Sequence, residues 1–424
     1  MTEVIATNET ILVVGGGISG MTAALEAAET GKQVVLVEKR PYVGGRVTQL
    51  YKYFPKLCFP TCGLEINQRR AKMNPNLRII TMAEVTDLQG EEGNYTATVK
   101  ISPRYVNENC TGCGDCAKVV EAEFDDDFNY GMGKRKGAYL PHRMAHPQRY
   151  VLDPAIIGTE DAQKAKEACK VNAIDLDMQE ETIEFKAGAV IWATGWKPYD
   201  ANKIQPYGYD RIANVVTSVE FERMADANGP TGGKLLRPSD GKEVKSVAFI
   251  QCAGSRDKNH LLHCSRICCM ASLKQATYPA DEVAVSIYYI DIRAIDRFED
   301  FYQSVKGKEN VKFIKSKVAS IVENKENGNP TLHGVDTEGY HRYADEHDLV
   351  VLAIGMEPSV DKASFPVEIA INEEGFIEPA PENGGVFAAG CSSDALDVNR
   401  AVQHATGAAL RAIQVVNRVA ASEG

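Results

Sequence analysis

Short apolar runs without polar alternation recur along the chain: Ile11–Val14, Val34–Val37, Ala189–Ala193, Val247–Gln251, Val283–Asp291, Leu349–Ile354 and Val386–Ala389. Such runs are what parallel strands give when helices cover both sheet faces. Between and after them lie Ala-rich stretches with helical spacing: Met21–Glu29, Met270–Tyr278 and about Val398 to Val419. Glycines follow several of the runs directly or one residue on, as Gly15, Gly195, Gly355 and Gly390. The pattern predicts an α/β chain built from two Rossmann-type units, the second inserted within the first.

The first unit carries a complete fingerprint. Strand Ile11–Val14 runs into Gly15-Gly-Gly17-Ile18-Ser19-Gly20, then a helix closed by Gly31, then strand Val34–Val37 ending in Glu38. Gly15 allows the turn, Gly17 lets the backbone approach a pyrophosphate, and Gly20 lets helix and strand pack closely. The helix N-terminus faces the phosphates, and Glu38 is placed for an adenosine ribose. Taken singly, each glycine is only a turn. The ordered set predicts dinucleotide binding, and the later segments favour FAD over NAD. Gly44-Gly45-Arg46 comes just after the second strand, and Ala193-Thr194-Gly195 and Leu349–Gly355 are strand-to-glycine exits. Gly385–Gly390 resembles the strand that places a flavin ribityl chain, with a helix beneath it. The expected flavin-binding residues are Gly15, Gly17, Ile18, Ser19, Gly20, Glu38, Lys39, Gly45, Arg46, Val85, Ala193, Thr194, Gly195, Gly390, Cys391, Asp397 and Val398. Cys391 stands where many such enzymes have Asp, and a small buried structural residue is the plain alternative.

The second unit lacks the fingerprint. Strand Val247–Gln251 ends in Cys252-Ala-Gly-Ser, without G-x-G-x-x-G spacing, and Cys264, Cys268 and Cys269 follow at the start of the Met270–Tyr278 helix. Cys264 and Cys268 are expected on one helix face. Four thiols in one strand–loop–helix unit read as a ligand set, with a group of buried free cysteines as the alternative. Eleven cysteines in 424 residues is a high count. In a reducing compartment it points to metal or redox work rather than staples.

A third cysteine group lies in a segment of different character, 103–180. Cys110-Thr-Gly-Cys113-Gly-Asp-Cys116 has the C-x2-C-x2-C spacing that opens a bacterial ferredoxin run, and Cys169 resembles the ligand from the other ferredoxin half. The residue after it is Lys170 rather than proline, and position 120 is Val120 rather than a fourth cysteine. One [4Fe–4S] cluster on Cys110, Cys113, Cys116 and Cys169 is expected, with a zinc knuckle as the alternative. An acidic stretch from Glu121 to Asp127 and a basic one, Lys134–Lys136, separate the ligand segments. They read as a solvated excursion, or as a docking surface or cover for the cofactors. Cys58-Phe-Pro-Thr-Cys62 is open among a dithiol facing the flavin, an accessory ligand set and a structural pair.

Bulk properties narrow the classes. A net charge of -11 offers no broad basic face for nucleic acid. No apolar run approaches the ~20 residues of a membrane span, and the first residues lack a signal-peptide pattern. The expectation is a cytoplasmic protein, reaching a membrane face only through partners. The expected domains are 1–102, 181–214 and 346–424 for the flavin-binding domain, 103–180 for the ferredoxin-like insertion, and 215–345 for the Rossmann unit carrying thiols in place of a nucleotide.

Gln251-Cys-Ala-Gly-Ser-Arg-Asp257 followed by His263-Cys-Ser-Arg-Ile-Cys-Cys-Met-Ala-Ser-Leu-Lys-Gln-Ala276 resembles the signature of heterodisulfide reductase A subunits. The resemblance implies a thioredoxin-reductase-like flavoprotein core with FAD and an oxidoreductase activity exercised in a complex. It implies [4Fe–4S] ligation by Cys252, Cys264, Cys268 and Cys269, making two clusters in all. It places Lys274 near the flavin N5. Longer family members carry further cluster domains that are not expected here. The short form is similar to the A subunit of the quinone-interacting membrane-bound oxidoreductase of sulfate reducers. That likeness implies a second flavin/iron–sulfur subunit, a haem-bearing membrane subunit, and electron flow between menaquinone and adenylylsulfate (APS) reductase, with flavin-based bifurcation or confurcation. Two alternatives stay open: an A-type subunit serving another thiol/disulfide complex, and a stand-alone flavin disulfide reductase using Cys58 and Cys62.

Overall fold

A computed structural model describes residues 7–295, 297–360, 365–379 and 384–423. The chain divides into two compact units, one of residues 1–48, 61–196 and 358–424, the other of 49–60 and 197–357.

In the first unit five parallel strands line up in the order Val386–Ala388, Ala189–Trp192, Ile11–Val14, Val34–Glu38, Leu77–Thr81. Side chains alternate across the sheet, so Ile11 and Val13 face one core and Leu12 and Val14 the other. On the first face lie helices Ile18–Glu29 and Val398–Glu423, meeting through Ala23, Ala24, Ala27, Ala405, Ala409 and Ala412. Small side chains let the helices sit close to each other and to the strands. The other face is covered by an antiparallel meander of Ala83–Glu91, Asn94–Ile101 and Glu181–Ala187, whose Val85, Ala97, Val99 and Phe185 complete the second core. Both faces are dry, which is why the strand sequences are continuously apolar.

The insertion has its own small core of Val106, Val120, Ala138, Leu152, Ile156, Ala162 and Ala165, between helices Asp115–Val119 and Glu160–Ala168. It is anchored to the loop after the second strand. His146 O accepts from Val43 N at 2.9 Å. Arg104, buried, donates to Pro41 O at 2.7 Å and Thr81 Oγ1 at 2.8 Å. Phe128 and His142 stack on each other, and both meet the Tyr42 ring edge-on.

The second unit repeats the plan: parallel strands Val215–Thr217, Leu349–Ile354, Ser246–Ala253, Ala284–Tyr289 and Val311–Lys315 in that spatial order, with an antiparallel meander of Ser320–Glu323, Pro330–Asp336 and His341–Glu346. Helix Ser218–Ala225 opens with a capping box between Thr217 and Glu220. One expectation is corrected. The helix spans Cys268–Gln275, so Cys264 precedes it and does not share a helix face with Cys268. Arg266, at φ 60°, breaks helical continuity, and buried Ser265 pins the loop by bonding Ser255 Oγ at 2.7 Å and Met356 N at 2.8 Å.

Among the described residues no helix is long and apolar enough to cross a membrane.

Candidate functional site

In the first unit most of the predicted flavin residues lie at or near the carboxyl ends of adjacent strands, where open α/β sheets bind ligands. Gly15 has φ 104°, and a Cβ there would lie 2.4 Å from Ala193 O. A Cβ on Gly20 would lie 1.8 Å from Gly15 O, so strand, turn and helix close only with glycine at both positions. Gly17 differs, because a Cβ there would meet only Gly45 Cα, at 3.9 Å. Its open face sits at the N-terminus of the Ile18–Glu29 helix, whose first N–H groups have no side-chain cap. That is a cradle suited to a pyrophosphate. The 44–45 turn lies across it, with Gly44 N bonded to Gly16 O at 2.7 Å.

Glu38 is buried and accepts from Gly16 N at 2.6 Å and Arg40 N at 2.7 Å. Burial raises its carboxyl against the pull of those N–H groups. Arg46 Nε donates to Trp196 O at 2.6 Å, and its guanidinium lies 5.3 Å from the Trp196 ring centre. Gly390 packs against Ser19, and its N–H donates to His404 Nδ1 at 3.1 Å. Asp397 Oδ1 takes Arg400 N at 3.1 Å at the start of the helix that opens with Val398. Cys391 is buried, with its thiol pushed up to about 11 by burial and directed at Leu396 O, 3.3 Å away. Two predicted residues point elsewhere. Lys39 extends to Glu84 in an exposed ion pair at 2.9 Å, and Val85 belongs to the meander core. Their side chains take no part in the cradle. His404 was missed by sequence reasoning, because it reaches its loop from a distant element and no local spacing marks it.

The insertion brings its four cysteines into one neighbourhood. Cys113 is exposed, Cys110 and Cys169 are half-buried, and Cys116 is buried. Burial pushes the Cys116 thiol up to about 11, and Cys110, Cys113 and Cys169 add to the shift as neighbours. Ala173 N lies 3.2 Å from Cys169 Sγ as a donor. The acidic and basic stretches around them pair with each other. Strands Glu123–Asp125 and Lys134–Lys136 set Asp125 against Lys134 at 2.6 Å and Glu123 against Lys136 at 2.9 Å.

The second unit gathers its four more deeply: Cys252, Cys268 and Cys269 are buried and Cys264 is half-buried. Cys252 stands at φ 57°, where the strand register breaks between Ile250 and Ala253. A hydrogen bond shared with Cys268 lowers the Cys252 thiol, aided by Arg256, and raises Cys268. Burial pushes Cys269 up to about 11, with Cys252 and Cys264 adding to the rise. Arg266 N lies 3.4 Å from Cys264 Sγ as a donor. The thiols are neighbours, not a closed shell around one ion: among the described residues no three His, Cys, Asp or Glu side chains are placed to hold a metal ion. Backbone donors to sulfur and partial burial are the surroundings that suit thiolate ligands of a cluster. A phosphate does not fit this turn, because Tyr199 covers it: a Cβ on Gly254 would lie 2.5 Å from the Tyr199 ring.

Lys274 lies on the same Cys268–Gln275 helix, in a buried ion pair with Glu222 at 2.8 Å, both side chains 2% exposed. Its Nζ also donates to Lys52 O at 2.7 Å. The Glu222 carboxylate takes further donors from Gln275 Nε2 at 2.6 Å, Tyr278 OH at 2.9 Å and Tyr51 N at 2.9 Å. Glu222 was not foreseen from the sequence. Cys58 and Cys62 are both exposed, Cys58 beside Lys56 O at 3.8 Å and Cys62 in the first turn of helix Pro60–Met73.

Residues 10–196 match the family model for FAD dependent oxidoreductases. An A-type iron–sulfur subunit of the CoB–CoM heterodisulfide reductase of Methanopyrus kandleri is 38% identical over 419 residues, covering 95% of this chain and 63% of that protein. The A subunit of the H2-dependent heterodisulfide/ferredoxin reductase of Methanothermobacter marburgensis is 37% identical over 429 residues, covering 96% of this chain and 64% of the relative. Over nearly its whole length the chain is similar to heterodisulfide reductase A subunits. It spans 63–64% of the length of these relatives. Among solved structures, thioredoxin reductases of T. acidophilum and Lactococcus lactis both have a TM-score of 0.52, at 14% and 13% identity. They cover 96% and 98% of this chain, and 98% and 99% of their own, and they show the fold alone.

Proposed function

We propose that this chain is an electron-transfer flavoprotein holding FAD and two [4Fe–4S] clusters. What carries the reading is a contrast between repeated units. The first keeps an open glycine cradle at its strand ends, and the second has Cys252 at the equivalent strand end, three more thiols in the loop and helix start that follow, and Tyr199 over its turn. Bound FAD would exchange two electrons with single electrons, and the clusters would conduct the single electrons.

The chain's own residues bind and orient. Gly17 and the Ile18 helix terminus would hold the pyrophosphate, and Glu38 a ribose hydroxyl. Arg46, Gly390 and the Asp397–Val398 helix start line the same strand ends. Cys110, Cys113, Cys116 and Cys169 would ligate one cluster, and Cys252, Cys264, Cys268 and Cys269 the other. Lys274 would place a cation near the flavin N5, as the family resemblance implies, with Glu222 fixing its ammonium. The likeness to the quinone-interacting oxidoreductase of sulfate reducers supports electron flow between menaquinone and APS reductase. The partners there would be a second flavin/iron–sulfur subunit and a haem-bearing membrane subunit, and the flow would involve bifurcation or confurcation at the flavin.

The test is flavin, iron and sulfide content of anaerobically purified protein, with EPR after dithionite reduction. About eight iron per FAD and two cluster signals are expected. Zinc or no metal, with NADPH bleaching the flavin, would replace this reading with a disulfide reductase using Cys58 and Cys62.

A further inference from the structure

Arg256 is the cation set against the buried thiols of the second unit. It follows the broken strand end at φ 55°, with its N–H bonded to His263 O at 3.1 Å. That conformation turns the chain back, and the Arg256 guanidinium pairs closely with Asp291, whose carbonyl lies 3.5 Å from Cys269 Sγ. The cation therefore stands beside the thiol group, and its field adds to the Cys268 hydrogen bond in lowering the Cys252 thiol.

Asp291 lies two residues beyond strand Ala284–Tyr289. In a dinucleotide-binding Rossmann unit, an acidic side chain near the end of the second strand takes ribose hydroxyls. Here the carboxylate holds an arginine instead, and its own segment meets another thiol: Cys269 Sγ donates to Asp291 O at 3.5 Å. Arg293 Nε also reaches the Asp291 carboxylate at 3.2 Å. Two guanidiniums on one carboxylate leave a net positive charge beside the sulfurs.

We infer that Arg256, aimed by Asp291, is a positioning residue that raises the reduction potential of the cluster on Cys252, Cys264, Cys268 and Cys269. This rests on that set holding a cluster, as proposed above. Reduction adds one electron and no proton, taken from a one-electron donor such as reduced flavin or a partner iron–sulfur centre. The added negative charge spreads over the ligand sulfurs. A guanidinium fixed beside them therefore stabilises the reduced form more than the oxidised one. Arginine keeps its proton throughout the working pH range, so the bias does not titrate away.

The experiment is an EPR-monitored redox titration of the whole, anaerobically prepared chain, comparing Arg256→Gln and Arg256→Lys with the parent. Arg256→Gln is expected to lower the reduced-to-oxidised ratio of this cluster about tenfold at fixed potential, a downward shift of about 59 mV for one electron. Arg256→Lys keeps the charge without the fork and is expected to shift it less, in the same direction. The insertion's cluster signal is the internal reference and stays where it is. An unchanged or raised midpoint at full iron content overturns the role of Arg256 and leaves the cluster reading intact. If Arg256→Gln loses about four iron, Arg256→Lys decides by the same criterion. A parent protein holding only about four iron, with a spectrum that Cys268→Ala does not change, sinks the cluster reading itself.

Discussion

The two cysteine sets differ in depth and in what surrounds them. The insertion's set lies at the surface, with Cys113 exposed and one sulfur buried, while the second unit buries three of its four. In the insertion, charges pair locally, as Asp115 with Lys118 beside the cysteines and Asp125 with Lys134 and Glu123 with Lys136 across a hairpin. Around the second, charges come from distant segments: Arg256 meets Asp291, and Lys274 meets Glu222. The difference suits different tasks. A surface cluster can exchange electrons with a partner by close approach. A buried one is shielded from solvent and oxidant, and its potential is open to tuning by fixed charges.

The sharpest way to break this comparison is to attack the sets in turn. Cys113→Ala and Cys268→Ala are each expected to remove about four iron and one EPR signal. Controlled air exposure of the parent protein, followed by iron assay and EPR, should remove the insertion's signal first. If the second unit's signal decays first, exposure is not what separates the sets.

The next effect is energetic. Glu222→Ala leaves the Lys274 ammonium buried without its carboxylate, and breaking a buried pair this way costs about 3–5 kcal/mol. Urea unfolding should show that loss. A change below about 1 kcal/mol would mean the network is not holding Lys274.

How much of this was legible beforehand follows the same division. The flavin cradle was readable because its demands are local: Gly15, Gly17, Gly20 and Glu38 lie within one strand–helix–strand stretch. The thiol groupings were readable for the same reason. The shared helix face for Cys264 and Cys268 was not, because spacing of four implies a helix only where the backbone is helical, and Arg266 is left-handed. Glu222 was invisible, since it meets Lys274 only when two helices from separate stretches pack. His404 reaches Gly390 from the C-terminal helix for a like reason.

A smaller effect belongs to the insertion's anchor. Burial lowers His146 from 6.5 to about 4. The unfolded chain therefore binds the extra proton first as pH falls. Stability is full above pH 6.5 and drains between 6.5 and about 4. The loss across that window is about 2–3 kcal/mol. Melting curves at pH 7 and pH 5 should show the slope in the parent and a shallower one in His146→Gln. Equal slopes would remove His146 from the account.

The smallest effect tests the hairpin. Its acidic and basic stretches looked from the sequence like an excursion or a docking face, because cross-strand register cannot be read from charge alone. The register sets each acid opposite a base. Exchanging all four charges, Glu123 and Asp125 to lysine with Lys134 and Lys136 to glutamate, preserves net charge and both pairs, so melting should not move. Reversing one strand alone puts like charges face to face and should lower it slightly. If the pairs matter only to each other, the fourfold exchange also leaves the rate of electron delivery through the Cys110 set unchanged. A rate that falls in the fourfold exchange while melting stays constant would mean that a partner reads this hairpin's charge pattern. The exposed set would then have a specific docking face as well as an accessible cluster.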